Sequence, residues 1–95
     1  MSPENKKKLN KIRVKLDKID DSLLILIKKR TSLVKKVFKL KKFKYQIVDK
    51  KRIKKILHRI KIKSISNSID PRITNRIWVN MIKSYIDYEK RNFKN

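Results

Sequence analysis

An apolar stripe through the first forty-two positions runs Leu9, Ile12, Leu16, Ile19, Leu23, Leu26, Leu33, Val37 and Leu40. The steps alternate between three and four, which keeps one stripe of a helix apolar and matches the seam of packed helices. No proline or glycine interrupts residues 5–42, so the pattern predicts one helix over that span. The single break in the stripe is Arg30, where another apolar residue is due. Such a helix is roughly 57 Å long at 1.5 Å per residue. A compact chain of 95 residues has a radius of gyration of only about 12 Å. The remaining residues are too few to cover the seam, so a second copy is expected to share it, giving a homodimer around one core. A charged coiled coil is the plainer form of the same idea.

Residues 43–48 read as a short connection. Asp49 is a favourable N-cap, because its carboxylate accepts from free backbone N–H groups at a helix start. A second helix is expected from there to about Lys63, with Ile53, Ile56, Leu57 and Ile60 inward. Ser64 to Ile69 reads as a polar loop. Asp70-Pro71 is a cap followed by proline at the first helical position. It opens a third helix to about Phe93, with Ile73, Ile77, Trp78, Met81, Ile82 and Tyr85 apolar. The fold class is therefore all-α, a single domain over residues 1–95 with one long, one short and one medium helix.

Composition supports this. There is no glycine and no alanine, and only two prolines. Turn-rich β folds depend on glycine for positive φ. The absence of cysteine excludes disulfides, thiolate metal sites and cysteine nucleophiles. A glycine-rich phosphate loop is equally impossible. No apolar signal segment opens the chain, and the longest apolar run, Leu23 to Ile27, is far short of the about 20 residues that span a bilayer. A soluble, cytoplasmic protein without membrane attachment is expected.

The formal charge is +22, which alone suggests nucleic acid or an anionic surface. Its distribution argues otherwise. Residues 5–44 carry sixteen Lys/Arg against three Asp, residues 49–63 eight against one, and residues 71–95 six against two. The charge is spread over the chain rather than gathered in an arm. Lysine, isoleucine and asparagine also share A/T-rich codons, so coding bias accounts for much of the excess.

Several charged residues nevertheless fall on apolar faces. Arg30 sits in the seam, and Lys41, eleven residues on, returns to within roughly 20° of it on a continuous helix. Arg13 lies about 100° away from Arg30, so a partner chain has to supply it to a common site. Arg52 precedes Ile56 by one turn. Glu89 continues the stripe Trp78, Ile82, Tyr85. Buried charge is costly unless paired or used. Four cations and one carboxylate facing a helical core suit a small dianion, and the planar guanidinium binds carboxylates bidentately. Each position also has a plainer reading: long cations snorkel from seams, and Glu89 can simply pair with a lysine. His58 reads as a surface residue, and Ser22, Ser32 and Ser84 lack a base.

The run Ile12-Arg13-x-x-Leu16-Asp17-x-Ile19-Asp20-x-x-Leu23-Leu24-x-Leu26-Ile27-x-x-Arg30, followed by Val34-x-x-Val37-x-x-x-Lys41, resembles the opening of the all-helical chorismate mutases. Ile47-x-Asp49-x-x-Arg52 resembles the start of that family's second helix. Ile69-Asp70-Pro71 with Ile77-Trp78-x-x-Met81-Ile82-x-x-Tyr85-x-x-x-Glu89 resembles its third. The resemblance implies an intertwined homodimer with two sites shared between chains. It implies that Arg13 (from the partner), Arg30, Lys41, Asp49, Arg52, Tyr85 and Glu89 bind chorismate, with Lys41, Glu89 and Arg30 catalytic. It also implies a pericyclic rearrangement to prephenate, in phenylalanine and tyrosine biosynthesis, needing no metal or cofactor. Two positions depart from the family pattern: Ile53 stands where Glu is common, and Tyr85 where Ser is common. Both choices occur in isochorismate pyruvate-lyases, which share the fold. Asp49 as a hydroxyl partner and Glu89 as an ether partner favour the mutase. A basic helical nucleic-acid-binding protein is the rival class; it lacks a recognisable motif here.

Overall fold

The structure, a computed structural model, describes residues 1–94. It contains α1 (Pro3–Lys39), a 3-10 turn (Lys44–Ile47), α2 (Lys50–Ser66) and α3 (Pro71–Asn92), with no strand among the described residues. Two compact units are present, Met1–Lys36 and Val37–Asn95.

The first unit is α1 without its last turn. Its start is two residues earlier than the seam pattern suggests, because Ser2 caps it: the Asn5 N–H donates to the Ser2 hydroxyl at 3.1 Å. Pro3 then occupies a position where a missing N–H costs nothing. The seam residues Ile12, Leu16, Ile19, Leu23, Leu26 and Leu33 are all about half exposed, between 48 and 61%.

In the second unit α2 and α3 form an antiparallel hairpin. Ser64, near the end of α2, meets Thr74, near the start of α3. At the far end, Glu89 of α3 meets Lys41, just ahead of the 3-10 turn that leads into α2. The two expected caps form: Asp49 accepts from the Arg52 N–H at 3.0 Å and Asp70 from the Arg72 N–H at 2.9 Å. Ile56 and Ile60 of α2 and Ile47 of the turn are buried. Ile53, Leu57, Trp78, Met81, Ile82, Tyr85 and Ile86 are half-buried around them. Phe38 packs edge-on to Tyr88 and tilted against Phe93, with ring centroids 6.4 Å apart in each pair. Ile73 and Ile77, though apolar, are exposed; the buried side of α3 starts instead at Thr74.

Two boundaries differ from the sequence pattern. The span expected as loop from Ser64 is helix as far as Ser66. Ser64 is buried; its hydroxyl donates to the Ile60 carbonyl at 2.6 Å and lies 2.6 Å from the Thr74 hydroxyl. The helix then stops in a paired-bond C-terminal motif: the Ile69 N–H reaches the Ser64 carbonyl and the Ser68 N–H the Ile65 carbonyl. Ser68 takes φ of 57° there, a left-handed position usually given to glycine, which this chain lacks.

Helix α1 ends at Lys39 rather than at 42. Beyond it the Lys42 and Phe43 N–H groups turn to the Gln46 side chain, at 2.7 and 2.9 Å. Lys41 is therefore not on α1 but in the connection that follows it.

Candidate active site

The centre of the second unit's charge arrangement is Lys41. Its ammonium donates to Glu89 Oε1 at 2.9 Å and to the Ile47 carbonyl at 3.4 Å. The side chains are 17% and 5% exposed, so this is an ion pair largely withdrawn from water. α3 delivers Glu89 because it continues the face of Trp78, Ile82 and Tyr85, all half-buried. The turn at 40–43 delivers Lys41, and the buried Ile47 anchors the carbonyl that receives it.

Beside the pair lies an open recess of about 710 Å³, lined by Lys41, Tyr45, Gln46, Val48, Asp49, Lys50 and Lys51. Three lysines and one carboxylate thus border a space that admits an anionic molecule. Asp49 has a double position: Oδ1 caps α2, and the residue also lines the recess. Tyr45 is stacked on Phe43 at 5.7 Å, an exposed aromatic pair at the rim.

The other candidates are placed less centrally. Tyr85 is half-buried one turn ahead of Glu89. Arg52, expected at the inward edge of α2, is exposed. Arg13, exposed, and Arg30, half-buried, belong to the first unit. The eleven-residue reasoning that set Lys41 on Arg30's helical face fails because the helix stops at Lys39. Among the described residues, no three His, Cys, Asp or Glu side chains gather as metal ligands.

Residues 12–90 match the chorismate mutase type II family. The chain belongs to that family. The matched span contains every candidate residue named above, and the observed helices agree with the family's all-α fold. No curated protein and no solved structure gives a match. No helix among the described residues is long and apolar enough to cross a membrane. Membership in the type II family supports chorismate-mutase-type chemistry, and hence aromatic amino acid biosynthesis.

Sequence reasoning overlooked two parts of this site. Gln46 had no periodicity to mark it, being polar in a short connection. The Ile47 carbonyl is backbone, and only a buried side chain at that position hints that its peptide is fixed.

Proposed function

We propose that the protein is a chorismate mutase, converting chorismate to prephenate in the cytoplasm without a cofactor. The observation that carries this is the withdrawn Lys41–Glu89 pair beside an open cationic recess, in a chain of the type II family. A purely structural ion pair would have the same geometry; the recess next to it is what gives it a substrate to act on.

The rearrangement breaks an ether C–O bond as a C–C bond forms within one molecule. It needs no nucleophile or base. An enzyme accelerates it by holding the compact reactive conformer and by stabilising charge that grows on the ether oxygen. Lys41 is the donor for that oxygen. An ionised carboxylate only accepts hydrogen bonds, so Glu89, as paired here, aims Lys41. Arg30, Arg52 and a partner's Arg13 hold the two carboxylates, Asp49 takes the ring hydroxyl, and Tyr85 closes the wall.

The same proposal includes a homodimer. Isolated, α1 leaves a long row of half-exposed leucines and isoleucines. Soluble monomers rarely show contiguous apolar patches beyond a few hundred Å². A second α1 covers that row and brings Arg13 to the site that Arg30 cannot share with it on one straight helix.

Isochorismate pyruvate-lyase is the second reading, favoured by Ile53 and Tyr85. One assay decides. Purified protein is incubated with chorismate and, separately, with isochorismate, following ultraviolet loss and identifying products. Prephenate from chorismate is the expected result. Pyruvate from isochorismate alone would make it a lyase. Neither product, with salt-sensitive DNA binding instead, would overturn the enzyme reading.

A further inference from the structure

Lys41 leaves α1 with nothing helical to hold it. Its own N–H still reaches back to the Phe38 carbonyl at 3.0 Å, but the next two backbone N–H groups have left the helix ladder and need partners. Both find the same atom, Gln46 Oε1, at 2.7 Å from Lys42 and 2.9 Å from Phe43. The Gln46 N–H in turn donates to the Phe43 carbonyl at 3.0 Å. One side chain thus ties the residue after Lys41 to the residue before Ile47. Ile47 supplies the carbonyl that the Lys41 ammonium reaches in addition to its salt bridge. The buried Ile47 side chain fixes that peptide against α3.

We propose that Gln46 is a positioning residue for Lys41: its carbonyl oxygen closes the 42–46 turn and so sets the distance between the Lys41 ammonium and the two oxygens that aim it. The role rests on the reading of Lys41 as the donor to the reacting ether. It is a role for the oxygen alone, since both side-chain bonds use Oε1. Glutamate can therefore replace glutamine in the turn, whereas alanine and methionine, which lack a comparable acceptor, cannot. Solvent can still satisfy the exposed Lys42 and Phe43 N–H groups in those variants, so the chain folds, but the turn loses its fixed span. A displacement on the order of 1 Å at a catalytic group costs up to about 100-fold in rate.

The test compares Gln46→Ala, Gln46→Met and Gln46→Glu in the full-length protein. Three quantities are read: kcat and KM with chorismate, hydrogen-exchange protection of the Lys42 and Phe43 amides, and the NMR signal of the Lys41 ammonium. Expected are a roughly 10- to 100-fold fall in kcat for Ala and Met, with lost protection at the two amides and a shifted Lys41 signal. Glu should restore all three, while its added charge beside an anion site raises KM. Ala and Met variants with wild-type kcat and an unmoved Lys41 signal would reduce Gln46 to a turn stabiliser and overturn the proposal. So would a Glu variant as slow as Ala. If the wild type converts neither chorismate nor isochorismate, the functional reading fails by itself. The exchange and NMR arms then still decide whether Gln46 holds Lys41.

Discussion

Replacing Lys41 or Glu89 separately and together tests whether their pair is a stranded-charge problem or an ordinary surface contact. At 2.9 Å and an effective dielectric of 20, the attraction is about 6 kcal/mol before desolvation is subtracted. Most of that is offset by removing two charges from water. The asymmetry of exposure sets the single-mutant effects. Lys41→Met leaves the Glu89 carboxylate, 5% exposed, without its cation, and should cost about 3–5 kcal/mol. Glu89→Leu leaves an ammonium 17% exposed that keeps the Ile47 carbonyl and can swing toward water; about 1–2 kcal/mol is expected, at the low end for a stranded polar group. The double variant strands neither charge, and an apolar pair of similar volume is often neutral. Its cost should be below about 2 kcal/mol, a coupling of at least roughly 2 kcal/mol. Urea unfolding followed by circular dichroism gives all four values. Protomer concentration must be held fixed, because a dimer's stability depends on it. Activity should not follow stability: the double variant recovers its fold and stays inactive for want of Lys41. Additive costs across the cycle, or a Lys41→Met variant within about 1 kcal/mol of wild type, would refute the description of a withdrawn, coupled pair.

Ser64→Ala should cost about 1–2 kcal/mol by leaving the buried Thr74 hydroxyl with only its long, 3.4 Å bond to the Pro71 carbonyl, while Ser64→Ala with Thr74→Val comes close to neutral; thermal unfolding distinguishes the two. Ser68→Gly should stabilise by roughly 0.5–1 kcal/mol by relieving a left-handed residue, seen as a higher unfolding midpoint; a lower midpoint would mean that Ser68 makes a compensating contact. Mixing inactive Arg13→Ala and Arg30→Ala chains should return about a quarter of wild-type activity, since half the dimers are mixed and each then has one intact site. No recovery after verified subunit exchange would place both arginines in one chain's site.

The helices were legible because each is written by period and punctuation together. Asp49 and Asp70-Pro71 are caps that the structure uses as such. Ser2-Pro3 is the same signal, two residues ahead of the start at 5 that the apolar stripe suggests. The misplaced ends share one cause. With no glycine in the chain, helix exits carry no mark: α2 leaves through Ser68 in a left-handed conformation, and α1 leaves through a glutamine that captures two N–H groups. Serine commonly marks a loop, but the Ser64 hydroxyl bonds back one turn and across to Thr74, which lets it lie inside the helix.

The burial of Glu89 was legible in the sequence; the geometry that brings Lys41 to it was not. Glu89 could be placed on a buried face because α3 is regular over its whole length and the stripe arithmetic holds to its last turn. The same arithmetic applied to Lys41 fails, because α1 ends at Lys39. It assumed a helix through position 42, whereas Lys41 reaches Glu89 from a turn held by Gln46 and Ile47. A lysine on α1 would move only with that helix. A lysine in a short stapled turn, gripped by one carbonyl and one carboxylate, answers to the second unit's own core. Its contacts come from residues 42–47 and 89 of the same chain, so on the proposed mechanism substitutions at Gln46 and Glu89 are the ones that test positioning apart from binding.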